Sequence, residues 1–118
     1  MIIGEMSIFD QSKLRETCGD DPEFCALVLD EFVRSGREGL DGLGEALLLG
    51  DTERAYHALH TLKGSARTVG AEEFATISAE WEARVAQDGL AETAEGLGQL
   101  EEAWDRLITH LAERREAA

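Results

Sequence analysis

A histidine followed by a lysine three residues later and a glycine four residues later is the first group in this chain whose types and spacing could do chemistry. These are His60, Lys63 and Gly64, in the run AYHALHTLKGSARTVGA from Ala55 to Ala71. An imidazole is largely neutral near pH 7 and can therefore act as a nucleophile without heavy tuning. An ammonium one turn along a helix can lean over the ring and attract an anion such as a phosphoryl group. A glycine at that place removes a side chain that would otherwise crowd the ring.

The element that must position this group is a helix. At about 100° per residue, Ala55, Leu59, Leu62, Ala66 and Val69 fall into one buried seam. His60 points roughly 130° from the middle of that seam, with Gly64 and Arg67 on its own face and Lys63 at the border. His60 is therefore expected to be wet. A glycine in mid-helix costs on the order of 1 kcal/mol against alanine, and an exposed site returns no packing for it. Gly64 thus reads as room kept for another molecule; the plainer reading is a solvated histidine beside an incidental glycine. Arg67 can meet an acidic partner or bond locally to Glu53. Ser65 lies on the opposite flank of the seam, where packing is expected. His57 precedes His60 by three residues, but two histidines without a third ligand make a weak metal site. Glu53 and His57 stand alone as a carboxylate and histidine pair, short of the facing pairs of a metal-binding bundle. His110 is expected at the surface.

The rest of the chain supplies helices around that one. Residues 1–9 begin apolar, and Ile2, Ile3, Ile8 and Phe9 are available to lie on a core. Asp10 suits the cap of a short helix from Gln11 to about Cys18, ended by Gly19. Asp21, Pro22 and Glu23 open a long helix. Its apolar stripe of Phe24, Leu27, Val28, Phe32, Leu40, Leu43 and Leu47 runs on to Leu49. Gly36, Gly39, Gly42 and Gly44 weaken this helix, and a loop near residues 35–39 is the alternative. Gly50 ends it, and Asp51 or Thr52 caps the His60 helix, which runs to about Thr68 before Gly70. Glu72 and Glu73 open the next helix, with Phe74, Ile77, Trp81 and Val85 buried as far as Gln87. After Gly89 a last helix runs from about Ala91 to Glu113 on Leu97, Leu100, Trp104, Leu107 and Leu111, frayed at its start by Gly96 and Gly98. The expected fold is all-α: an antiparallel up-down-up-down four-helix bundle with a short additional N-terminal helix, a single domain over residues 1–118.

Composition narrows the function. A chain of 118 residues holds one bundle core but no added nucleotide-binding kinase module, so any phosphate comes from elsewhere. The formal net charge of -14 argues against nucleic-acid binding, which needs cations to neutralise phosphates. Cys18 and Cys25 show neither zinc-ligand spacing nor a disulfide framework, and are read as free thiols in a reducing compartment. No run is apolar enough to span a membrane, and no signal peptide is evident, so a cytoplasmic protein is expected. One bundle buries every stripe, which favours a monomer. The start at Met1 favours a free-standing chain over a fragment of a hybrid kinase.

HTLKGSARTVGA, with His60, Leu62, Lys63, Gly64, Ser65, Gly70 and Ala71, resembles the signature of histidine-containing phosphotransfer (HPt) domains of two-component phosphorelays. The likeness extends to Phe32, the leucines from Leu40 to Leu49, and Asp51 ahead of the signature helix. The resemblance implies that His60 takes a phosphoryl group on a ring nitrogen, the outward Nε2, from a receiver-domain phosphoaspartate or a sensor kinase relay. It then passes the group to a response-regulator aspartate. Lys63 would stabilise phosphoryl charge, Gly64 would give steric access, and Tyr56 and Arg67 would contact the partner. Mg2+ would come from the receiver domain, with no cofactor of the chain's own. A polar side chain of the following helix would orient the imidazole; Glu73, Thr76, Glu80 and Glu82 are all available, with Glu80 the first choice. The alternative is an HPt-like interaction module that binds kinase or receiver without carrying phosphate.

Overall fold

The computed structural model describes residues 7–117. Five helices follow one another: α1 (Gln11–Cys18), α2 (Pro22–Leu49), α3 (Thr52–Val69), α4 (Glu72–Asp88) and α5 (Thr93–Ala117). Helices α2 to α5 form the antiparallel up-down-up-down bundle, in which α3 packs against α2 and α4, and α5 closes the ring against α2 and α4. The short α1 lies against α3 and α2.

Carboxylates start three of these helices. Asp10 accepts from the Ser12 N–H, Asp21 from those of Glu23 and Phe24, and Asp51 from that of Arg54. Each satisfies amide donors that the first helical turn leaves without a partner. Helix α4 has no such side chain at Ala71. Its Glu73 N–H is instead taken by the Ser7 carbonyl at 3.1 Å. The same N-terminal strap donates from the Asp10 N–H to the Gly70 carbonyl at 2.8 Å. Gly70 has φ 87°, and a Cβ there would meet the Lys13 Cβ at 3.0 Å, so this corner needs glycine on both counts.

The core is built from Leu14, Leu40, Leu43, Leu59, Leu62, Phe74, Trp81, Val85, Leu100 and Leu107, all fully buried. Phe32 and Phe74 both pack on Trp104, with ring centroids 5.5 and 5.1 Å away. Phe9 joins the core, with the Arg114 guanidinium 4.5 Å above its ring. Ile8 packs at the edge, while Ile2 and Ile3 lie outside the described residues.

Helix α2 is continuous, as its stripe leads one to expect, and the alternative loop at residues 35–39 is not formed. Several other details depart from expectation, and two of the glycines expected to weaken α2 are packing notches. A Cβ on Gly36 would stand 2.7 Å from Trp104 Cζ3, and one on Gly39 would stand 2.8 Å from Leu62 Cδ2. Gly96 likewise does not fray α5: a Cβ there would lie 2.6 Å from Trp81 Cε2. The apolar stripe of α2 is shorter at its start than expected, since Phe24 and Leu27 are 49% and 65% exposed. The last helix continues past Glu113 to Ala117, and Arg115 pairs with Asp30 at 3.1 Å. His110 is half-buried, near Phe9.

Cys18 and Cys25 are not free thiols in this structure. The end of α1 and the first turn of α2 bring their Cα atoms to 5.4 Å, and the sulfurs are joined in a disulfide. The turn at residues 19–21 folds the second cysteine back onto the first, which a spacing of seven residues does not announce.

Candidate functional site

The packing of α4 on α3 sets a buried carboxylate under the exposed histidine. His60 projects from the outer face of α3 with its side chain 59% exposed, while Glu82 on α4 is 11% exposed. One oxygen of Glu82 lies 2.6 Å from His60 Nδ1, and the other accepts from Lys63 Nζ at 2.6 Å. Burial alone would push the Glu82 carboxyl up, but the hydrogen bonds from Lys63 and His60 outweigh it and hold the group below its ordinary value. Glu82 is therefore ionised at neutral pH and can only accept. In the neutral imidazole Nδ1 must then carry the proton, which leaves the Nε2 lone pair free on the far side of the ring.

The surroundings fit an approach from outside. Tyr56 stacks near the imidazole, with centroids 6.3 Å apart and planes 15° from parallel. A Cβ on Gly64 would meet nothing within 4 Å among the described residues. Arg67 is exposed on the same helix and forms no ion pair among the described residues, so the local bond to Glu53 is not made. It lines a cleft of about 380 Å3 with Asp10, Lys13, Glu72 and Thr76.

The expected orienting residue is corrected by this geometry. Glu80 is exposed and makes no hydrogen bond or ion pair with His60; Glu82 occupies that place. Glu73 pairs with Arg106 at 3.0 Å, and Thr76 lines the cleft beside Arg67. Glu82 lies one residue after the buried Trp81 and four after the buried Ser78, on the side of α4 turned to α3. Glu80 lies on the outer side. Lys63 also differs from a free phosphoryl clamp, because its ammonium is held by Glu82 and its side chain is only 18% exposed. Ser65 spends its hydroxyl on the Thr61 carbonyl of its own helix at 3.0 Å. His57 is exposed. Among the described residues no three His, Cys, Asp or Glu side chains gather in a way that could hold a metal ion, and no helix is long and apolar enough to cross a membrane.

Comparison with known proteins places the fold and the family. The chain shares its fold with histidine-containing phosphotransfer protein B (HptB) from Pseudomonas aeruginosa PAO1. The crystal structure of that protein superposes with a TM-score of 0.84 at 23% identity, covering 94% of this chain and 96% of that one. Among curated proteins no relative matches. The family model of the Hpt domain matches residues 27–112, which takes in α2 from its second turn, all of α3 and α4, and α5 as far as Ala112. With most of its length matched by that model, around an exposed histidine backed by a buried carboxylate, the chain belongs to the Hpt domain family, the phosphotransfer carriers of two-component phosphorelays.

Proposed function

We propose that His60 is the phosphoacceptor of this carrier and that Nε2 is the reacting atom. The observation that carries the reading is the Glu82 bridge, which fixes the Nδ1–H tautomer from behind while the Gly64 side stays open. In the forward step the Nε2 lone pair attacks the phosphorus of a receiver phosphoaspartate. The acyl P–O bond breaks, and its electron pair returns to the aspartate carboxylate. The ring becomes an imidazolium whose Nδ1–H stays on Glu82, so the leaving group of the return step is neutral imidazole. Transfer to a second receiver aspartate runs the same exchange in reverse. Mg2+ is supplied by the receiver domain. Lys63, tied to Glu82 at rest, is positioned to offset charge arriving on the ring. Tyr56 and Arg67 flank the approach and contact the receiver or a sensor kinase. The carrier works as a monomer in the cytoplasm.

Intact-mass measurement after treatment with a small phosphoramidate donor tests the acceptor, comparing the parent with His60→Gln and His57→Gln. One acid-labile phosphoryl group, lost only in His60→Gln, is the expected result. Label lost only in His57→Gln would move the site to the other histidine. No label at all, with an established carrier labelled in parallel, would leave a binding module that carries no phosphate.

A further inference from the structure

We propose that Cys18 and Cys25 form a redox-operated clasp that holds α1 against the bundle when oxidised and releases it when reduced. The geometry is local. The disulfide joins the last residue of α1 to the first turn of α2 across a three-residue turn. Helix α1 has eight residues, too few to persist without packing. Its other anchors among the described residues are the buried Leu14 and Cys18 side chains, the Thr17 hydroxyl donating to the Thr68 carbonyl at 2.5 Å, and the strap just before it, where the Asp10 N–H bonds to Gly70, the Ser7 carbonyl accepts from Glu73 and Phe9 is buried. Removing the cross-link returns conformational freedom to the least anchored helix, while α2 to α5 keep their core.

Both cysteines are nearly buried, and Cys25 is the one that borders a route for a thiol. Cys25 lines an open cleft of about 470 Å3 between α1, α2 and α5, bounded by Leu14, Leu29, Ile108 and Leu111. A glutathione thiolate entering there attacks the Cys25 sulfur and expels the Cys18 thiolate. A second glutathione thiolate then attacks the mixed disulfide, freeing Cys25 and leaving as glutathione disulfide. Two electrons pass to the protein, and both cysteines take up protons. In the cytoplasmic setting proposed above, a disulfide is characteristically of this responsive kind.

The clasp bears on the histidine face through the cleft beside Arg67, one wall of which is made by Asp10 and Lys13 at the start of α1. Opening α1 removes that wall and leaves His60, Lys63 and Glu82 in place. Partner docking then responds to redox state, and with it exchange with a receiver, while acceptance from a small phosphoramidate donor does not; this last step rests on the phosphocarrier reading.

Hydrogen exchange on the full chain, in glutathione disulfide and after dithiothreitol, tests the clasp, with Cys18→Ala/Cys25→Ala as a permanently open reference. Reduction is expected to speed exchange in α1 by about tenfold or more, leave α3 and α4 unchanged, and have no effect on the double variant. Equal α1 protection in both states overturns the proposal, as does equal acceleration through the whole bundle. So does the finding that both thiols stay open to alkylation in glutathione disulfide. Phosphoramidate labelling of His60 in each state separates the two readings. Equal labelling supports a clasp that spares the acceptor, unequal labelling overturns that separation, and failure to label in either state counts against the phosphocarrier reading alone.

Discussion

Gly36 and Gly64 are both mid-helix glycines, and they stand in opposite surroundings. Gly36 lies in the seam between α2 and α5, where the edge of Trp104 occupies the space a Cβ would need. Gly64 lies on the outer face of α3, where a Cβ would meet nothing within 4 Å. Both forgo roughly the same helix stability, on the order of 1 kcal/mol relative to alanine. In the seam the loss is returned by an aromatic side chain of the same molecule. On the outer face nothing among the described residues returns it, which fits the proposed use of that space by an arriving partner. Gly96 against Trp81 repeats the first case, and Gly39 against Leu62 is a milder version of it.

The contrast can be broken most severely at the seam. Gly96→Ala and Gly36→Ala each force a methyl group into an indole ring and should cost about 1–3 kcal/mol or more, read as a lower denaturant midpoint with unchanged slope. An unchanged midpoint in both variants would show that the tryptophans have room to yield. Next in size is Glu82→Ala, which leaves the largely buried Lys63 ammonium without its carboxylate and the His60 Nδ1–H without its acceptor. A loss of about 1–3 kcal/mol is expected, with slower phosphoryl acceptance.

Glu82→Gln is a finer probe, because it keeps an acceptor and removes the titration. The Glu82 carboxyl is held below its ordinary value of 4.5 in the folded chain. Its contribution to stability is therefore complete above that ordinary value and is lost as pH falls through the folded one. Unfolding followed from neutral to acid pH should show the parent's advantage over Glu82→Gln constant down to about pH 5 and shrinking below it. An advantage that persisted at the acid end would place its origin elsewhere. The smallest effect is expected at Gly64: Gly64→Ala should raise stability by about 0.5–1 kcal/mol, the reverse of the seam variants. Gly64→Gln should leave the fold intact and slow transfer to a receiver domain by crowding the ring. A destabilised Gly64→Ala would erase the distinction between the two surroundings.

That distinction also marks what the sequence made legible. The seam of Ala55, Leu59, Leu62, Ala66 and Val69 and the outward placing of His60 follow from helical periodicity, and all five seam residues are buried. Helix ends were legible where chemistry marks them, as at Asp10, Asp21, Asp51, Gly50 and Gly70. The notches were not, because a glycine records only that a side chain is missing, and whether Trp104 or solvent fills the space depends on residues far along the chain. Glu82 rather than Glu80 could have been found by setting α4's wheel on Phe74, Ser78 and Trp81, which turns Glu82 inward and Glu80 out. Phe24 and Leu27 misled for the converse reason: they are apolar at helical spacing, yet the end of α2 on which they stand leaves that face uncovered. The Cys18 to Cys25 pairing depended on the tightness of one turn.

The placing of Glu82 has a further consequence for how the site comes into being. His60 and Glu82 are 22 positions apart and belong to one helical hairpin, α3 and α4. Closing a segment of that length costs little more entropy than closing one half as long. The most distant partners within the site thus meet through a local, fast-forming contact rather than through the long-range docking that joins α2 to α5. Assembly of the reactive geometry is in this sense nearly independent of how the chain's two ends find each other.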